Sequence, residues 1–335
     1  MDGPSKPASC SPWFDRTYYL GVLRENKSVA CALSASSIST LAGYPLDSLK
    51  SRLQTNKTGI SVVRLASLVY REEGFKGFYR GLWIPLITIS AVRTASFTIY
   101  TGTKDFCRDN GLLLRPSVIN AALAGGISGA LAGALISFGS APFELVKVRR
   151  QLEYTIAQSR GVTFQKPPNT MEAVRDIIRH NGTLGLYLGF RLHFLRDTLG
   201  TALYFCEYDA MRHLLGRKRS GAQGATPTWF PLPVSLVPFV CGSFAGVTSW
   251  ALIYPLDVVK TKVQQRALAG NPPRGVFETL RRLVRGPDAK DPKPIFEGLA
   301  RIYRGLGVSA VRSITTHGLL WTFYDMTSQY IDKLN

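Results

Sequence analysis

Three stretches decide the fold: Pro45-Leu-Asp47-Ser-Leu-Lys50-Ser-Arg52-Leu-Gln54, Pro142-Phe-Glu144-Leu-Val-Lys147-Val-Arg149-Arg-Gln151 and Pro255-Leu-Asp257-Val-Val-Lys260-Thr-Lys262-Val-Gln264. In each, an acid follows the proline by two residues, a lysine by five and a glutamine by nine, and the prolines stand 97 and 113 residues apart. Four chemically matched columns recurring three times mark an internal triplication. A second anchor keeps the same register: Tyr79-Arg-Gly81, Tyr187-Leu-Gly189 and Tyr303-Arg-Gly305, preceded by Glu73-Gly74, Asn181-Gly182 and Glu297-Gly298.

Upstream of each proline phrase the chain is free of charge, over Ser28 to Leu46, Pro116 to Phe143 and Ser220 to Leu256. Each run supplies the ~20 residues that cross a bilayer. A second apolar segment follows each Tyr-x-Gly anchor and carries charge midway: Arg93 in the first, Arg196-Asp197 in the second, Arg312 in the third. Six spans in three tandem repeats result, an all-α membrane protein. The repeats are expected over residues 26–115, 116–230 and 231–335, after a polar tail at 1–25. In that tail Asp2, Lys6, Asp15, Arg16, Arg24 and Glu25 cancel, unlike a cleaved presequence, which is Arg-rich and poor in acids.

The chain's 335 residues include 41 Lys plus Arg against 22 Asp plus Glu, a net charge of +19. Between the two spans of each repeat lie 26 of those bases and only 9 acids. The charge therefore gathers on one side of the membrane, as a positive-inside orientation and attraction to anionic headgroups require. A nucleic-acid partner is not expected, because a DNA-binding face does not explain six apolar spans. Cys10, Cys31, Cys107, Cys206 and Cys241 show no CxxC spacing, and His180, His193, His213 and His317 no metal-ligand spacing, so no metal site, cofactor or catalysis on covalent bonds is indicated.

Three repeats of about 100 residues, each with Px[DE]xx[KR] closing one span and an aromatic-x-Gly phrase opening the next, resemble the mitochondrial carrier family over essentially the whole chain. The resemblance implies a multi-pass inner-membrane solute carrier, with short matrix helices between spans and termini toward the intermembrane space. It implies a functional monomer with bound cardiolipin that alternates between two gated states by antiport.

Proline inside a helix removes a donor and bends it, so Pro45, Pro142 and Pro255 are expected to bring three helix ends together. The pairs Asp47/Lys50, Glu144/Lys147 and Asp257/Lys260 then cross-link neighbouring helices as a matrix-side gate, with Gln54, Gln151 and Gln264 as braces, by that resemblance. The opposite, cytoplasmic gate is eroded: its pattern is whole only at Tyr208-Asp209-Ala-Met-Arg212, while the other repeats keep Lys104 without an acid and Asp325 without a base. One sense of pairing leaves Asp325 to Lys104; the other leaves Asp209 to Lys104 and Asp325 to Arg212. One or two ties against three predict a state open toward the intermembrane space.

Seven residues past Gly81, Gly189 and Gly305 stand Thr88, Arg196 and Arg312, with neighbours Ile89, Asp197 and Ser313; five further come Arg93, Thr201 and His317. The family lines its solute site at this depth, where an intramembrane charge is a functional hypothesis by default. Forked arginines suit carboxylate or phosphate, and Asp197 suits a cationic amine. Arg followed by Asp on the fourth span resembles carriers of amino-acid-like zwitterions, including basic amino acids and carnitine esters. Two alternatives stay open: a phosphate-bearing nucleotide or coenzyme, and a carrier-fold adaptor that moves no solute. Asp197 also fits a scaffold role, neutralising a neighbouring helix's arginine, and His317 fits a satisfied wall residue as well as a ligand or proton-linked group.

Small residues precede the prolines at helical spacing: Ser28, Ala32 and Ser36; Gly125, Gly129 and Gly133; Gly242 and Gly246. They are expected to let helices approach closely in lipid, with no chemistry of their own.

Overall fold

The computed structural model describes residues 16–55, 62–79, 82–113, 116–151, 170–218, 221–268, 271–272, 274–286, 294–303 and 306–334. Eleven α-helices appear among the described residues: α1 Arg16–Glu25, α2 Lys27–Thr55, α3 Val62–Glu73, α4 Trp83–Asp109, α5 Val118–Gln151, α6 Thr170–Asn181, α7 Phe190–Leu214, α8 Val237–Leu268, α9 Val276–Arg285, α10 Ile295–Ile302 and α11 Leu306–Lys333. The six long ones run 25 to 34 residues, about 37 to 50 Å at 1.5 Å per residue, enough to cross a bilayer. Three stretches, Lys27–Leu49, Val118–Arg149 and Val234–Leu268, are long and apolar enough by composition alone; α4, α7 and α11 match them in length and carry the midway charges. Each motif proline lies inside an unbroken helix.

These six helices close into a ring: α2 packs on α4, α4 on α5, α5 on α7, α7 on α8, α8 on α11, and α11 back on α2. On α5 the exposed stripe Leu123, Ile127, Leu131 and Leu135 repeats every four residues, an outward apolar face suited to lipid. Opposite it, Gly125, Gly129 and Gly133 press against α7. A Cβ at these positions would stand 2.4 to 2.5 Å from the carbonyl oxygens of Phe205, Thr201 and Asp197, so the small-residue row is required by backbone proximity. Gly242 and Gly246 meet α11 in the same way, at the His317 carbonyl and the Ser313 hydroxyl.

The tyrosines of the Tyr-x-Gly anchors hold the starts of the second spans to the preceding odd helices. Tyr79 stacks on Tyr44 and Tyr303 on Tyr254, each partner standing just before its proline. In the second repeat that place is Ala141, and Tyr187 instead donates its hydroxyl hydrogen to the Phe138 carbonyl.

In the polar segment before residue 26, Arg16–Glu25 is helical and Arg24 donates to the Leu334 carbonyl near the other end of the chain; just beyond the segment, Lys27 pairs with Asp332 at 2.6 Å. Glu297-Gly298 does not end a helix as Glu73-Gly74 and Asn181-Gly182 do. Gly74 and Gly182, with φ of 65° and 69°, end α3 and α6 in the left-handed conformation that glycine adopts freely. Gly298 lies inside α10, where a Cβ would collide with the Val284 carbonyl: the third repeat folds a second short helix directly against α9.

Candidate functional site

The even spans aim their midway charges into the ring. A cavity of about 310 Å³ opens there, lined by Arg93, Arg196, Asp197, Thr201, Arg312, Ser313 and His317 among the expected residues. Thr88 and Ile89 do not line it; on α4 the lining begins one turn further along, at Val92 and Arg93. At the same register Arg196 and Arg312 reach inward because their side chains are long, and threonine's is not.

Arg196 is the most heavily engaged group. Its Nη1 donates to Asp197 Oδ1 at 2.5 Å, its Nε lies 3.0 Å from Asp257 Oδ1, and its guanidinium carbon sits 5.1 Å from the Trp250 ring centre. The Asp257 contact is an ion pair without hydrogen-bond alignment. Asp197 therefore neutralises an arginine of its own helix, rather than one on a neighbour. Arg312 Nε stands 3.4 Å from Asp47 Oδ1, and Arg93 donates to Ser39 Oγ at 3.1 Å. His317 Nδ1 lies 3.0 Å from the Tyr204 hydroxyl, which also accepts from Trp321 Nε1 at 2.8 Å, so this histidine is a wall residue with a satisfied ring nitrogen.

At the end of the ring that carries the proline motifs, the expected three-way gate is not closed among the described residues. Glu144 reaches Lys260 across the ring at 3.8 Å. Lys147 stays with Glu144 of its own helix, also at 3.8 Å. Asp47 and Asp257 turn to the cavity arginines. The side chains of Lys50, Gln54 and Gln151 lie outside the described residues. Gln264 does not brace an ion pair: its Nε2 donates to the Leu188 carbonyl at 3.3 Å, next to Gly189. Beneath the cavity His193 links the site to this gate. Its Nδ1 is 3.0 Å from Lys260 Nζ and its Nε2 3.0 Å from Ser140 Oγ and 3.4 Å from Asp197 Oδ2. An ammonium only donates, which assigns Nδ1 as acceptor and the ring hydrogen to Nε2.

The opposite end is shut. Asp209, 3% exposed, accepts from Lys104 at 2.7 Å, Tyr100 at 2.7 Å and Arg217 at 3.0 Å. Arg212, 1% exposed, pairs with Asp325 at 2.8 Å and donates to the Tyr208 hydroxyl at 2.7 Å. Below these ties, Tyr208 stacks on Trp321 at 3.6 Å and Tyr100 on Phe205 at 3.9 Å, with Phe97 wedged among them. Of the two pairing senses, the structure has Asp209 with Lys104 and Asp325 with Arg212. The expected state open at this end is corrected: the protein is closed here and, among the described residues, open toward the proline motifs. Counting motif charges missed Arg217, which stands beyond the motif, and the stacked rings, whose burial no charge count registers.

Four residues at these sites escaped the sequence reading. Tyr204 follows Arg196 by eight residues and His193 precedes Asp197 by four, so helical spacing on one face carried a signal for both. Trp250 stands five before Pro255, without a signal of its own, and Arg217 lies past the end of α7. Among the described residues no group of three His, Cys, Asp or Glu side chains is placed to hold a metal ion.

A ring of six spans in three repeats, a charged central cavity and an ion-paired constriction at one end define a membrane solute carrier. The model of the mitochondrial carrier protein family matches residues 25–111, 116–219 and 234–334, and the chain belongs to that family. Its members are transporters, and the chain is a multi-pass protein of the mitochondrial inner membrane. Similar proteins include "Mitochondrial ornithine transporter 1" of Schizosaccharomyces pombe, 30% identical over 306 residues covering 89% of this chain and 90% of that protein. "Mitochondrial arginine transporter BAC2" of Arabidopsis thaliana is 30% identical over 289 residues, 85% of each chain. "Solute carrier family 25 member 45" of Homo sapiens is 26% identical over 295 residues, 87% of this chain and 94% of that one.

Proposed function

We propose that this carrier moves a basic amino acid, or a zwitterion of similar chemistry, across the inner membrane by alternating access. The observation that carries this reading is the meeting of Arg196, Asp197 and Arg312 in one cavity. A carboxylate fits the forked guanidinium groups, and a cationic amine fits Asp197. Charge balance favours the same class. The three cavity arginines stand with Asp47, Asp197 and Asp257, so the site is not a simple trap for a polyanion such as a nucleotide. The names of the two relatives at 30% identity, one an ornithine and the other an arginine transporter, support it.

In this proposal the base-rich proline-motif end faces the matrix and both termini face the intermembrane space. Bends at Pro45, Pro142 and Pro255 serve the closing motion. Thr201, Ser313, Arg93 and His317 shape the cavity wall, cardiolipin binds the basic flank from outside, and one chain suffices for transport.

Reconstitution in cardiolipin-containing liposomes tests the proposal. Labelled L-arginine, L-ornithine or L-lysine is expected to exchange, while ATP is not, and Arg196→Ala is expected to abolish exchange with thermal unfolding still cooperative. Exchange of ATP alone would favour the nucleotide alternative; no exchange with amino acids, carnitine or ATP would favour the adaptor.

A further inference from the structure

Two gate acids are held where the gate does not need them. Arg196 of α7 engages Asp257 of α8, and Arg312 of α11 engages Asp47 of α2. Each contact joins the second span of one repeat to the first span of the next around the ring, so the two are copies of one geometry. The third copy joins α4 to α5, where Thr88 stands in place of an arginine and the acid is Glu144. Glu144 is also the acid that reaches a gate base on a neighbouring helix, Lys260. Among the described residues the two acids that face an arginine pair with it and with no gate lysine, while Glu144, whose counterpart position holds Thr88, reaches a gate base on a neighbouring helix.

The Glu144–Lys260 pair also sets the sense of the gate: the acid of one odd span ties to the base of the next. Threefold repetition then gives Asp47 to Lys147 and Asp257 to Lys50. Lys147 waits at 61% exposure on its own helix.

We infer that Asp47 and Asp257 act as internal carboxylates that occupy the cavity's anion positions while the basic end is open, and that a solute carboxylate closes this end by displacing them. This inference rests on the proposed solute class. A guanidinium that accepts the solute's carboxylate in place of Asp257 or Asp47 releases that acid toward its gate lysine, so binding and closure share one exchange of partners. No covalent bond or proton transfer is required. Asp47 and Asp257 thereby become determinants of solute affinity as well as gate residues, since every bound carboxylate competes with them.

Equilibrium binding to the purified full-length carrier distinguishes this from a role confined to the gate. With L-arginine as probe, Asp257→Asn and Asp47→Asn are expected to bind about three- to tenfold more tightly than the wild type, because a charged competitor is lost. Asp257→Glu is expected to restore competition, and Lys147→Gln, which leaves Arg312 with Asp47 but removes the lysine that receives the released acid, is expected to weaken binding rather than tighten it. Equal or weaker binding by both asparagine variants, or equal tightening by Lys147→Gln, would overturn the inference.

A second arm needs no solute. In carriers without native cysteines, a cysteine at Val92 in the cavity wall is labelled by an impermeant maleimide, added to the face from which it labels the wild type. Arg196→Gln and Arg312→Gln free the acids, so labelling is expected to slow severalfold; unchanged or faster labelling refutes the exchange of partners. If the wild type binds no basic amino acid, the solute proposal fails while this arm still decides the inference.

Discussion

The two ends of the ring are built from the same kinds of residue and do different work. At the closed end, Asp209 and Arg212 are almost fully buried, each charge is met at 2.7 to 3.0 Å, and stacked rings fill the space beneath. At the open end, Asp47, Glu144 and Asp257 keep 25 to 33% of their side chains exposed, and the pairs run from 3.0 to 3.8 Å. The motif is more complete at the open end and the contacts are better at the closed one. Motif completeness therefore does not rank the gates. A desolvated pair with full hydrogen bonding is costly to break on one side, whereas a half-exposed pair is screened and weak.

Substitutions can break this contrast in a graded order. The largest effect is expected for Asp209→Asn, which removes a carboxylate only 3% exposed and leaves the partly exposed Lys104 and Arg217 without their counter-charge: about 3 kcal/mol of stability, read by thermal unfolding, with a cavity cysteine newly labelled from the closed face. Arg217→Ala removes one of three donors to Asp209 and is expected to cost about 1 to 2 kcal/mol after allowance for its partial exposure. If labelling from that face does not rise, closure rests on the rings and the motif pairs alone.

Trp250→Leu takes away the aromatic face over Arg196, worth about 0.5 to 1 kcal/mol, and is expected to raise the transport KM two- to fivefold with little change in unfolding. The smallest effect is expected for Lys147→Gln, less than about 0.5 kcal/mol in the same unfolding assay, because its lysine is exposed and poorly paired here. A large loss there would mean that the open end contributes to the stability of this state.

Much of the architecture was legible from spacing. The Pro-x-acid-x-x-Lys and Tyr-x-Gly phrases located six helices and gave the register of Arg196 and Arg312, because one chemical phrase at one helical position reaches one depth. Thr88 shows where this stops. Equal register does not give equal reach, and the cavity wall on α4 starts at Val92 instead. Trp250 carried no signal, since it acts on Arg196 of a helix that sequence spacing does not bring near it, whereas Arg217 stands eight residues past its partner Asp209 and was missed because it lies outside the motif.

The repeats, the spans, the one-sided positive charge and the depth of the intramembrane arginines were determined by the sequence alone, because periodicity and hydropathy are local properties of a chain in lipid. Which acid meets which base, and which end is shut, only the tertiary structure decided. Those outcomes depend on side-chain reach and on water excluded between helices distant in sequence, so Asp47 and Asp257 look like gate residues in the motif and are found on the cavity arginines in the folded ring.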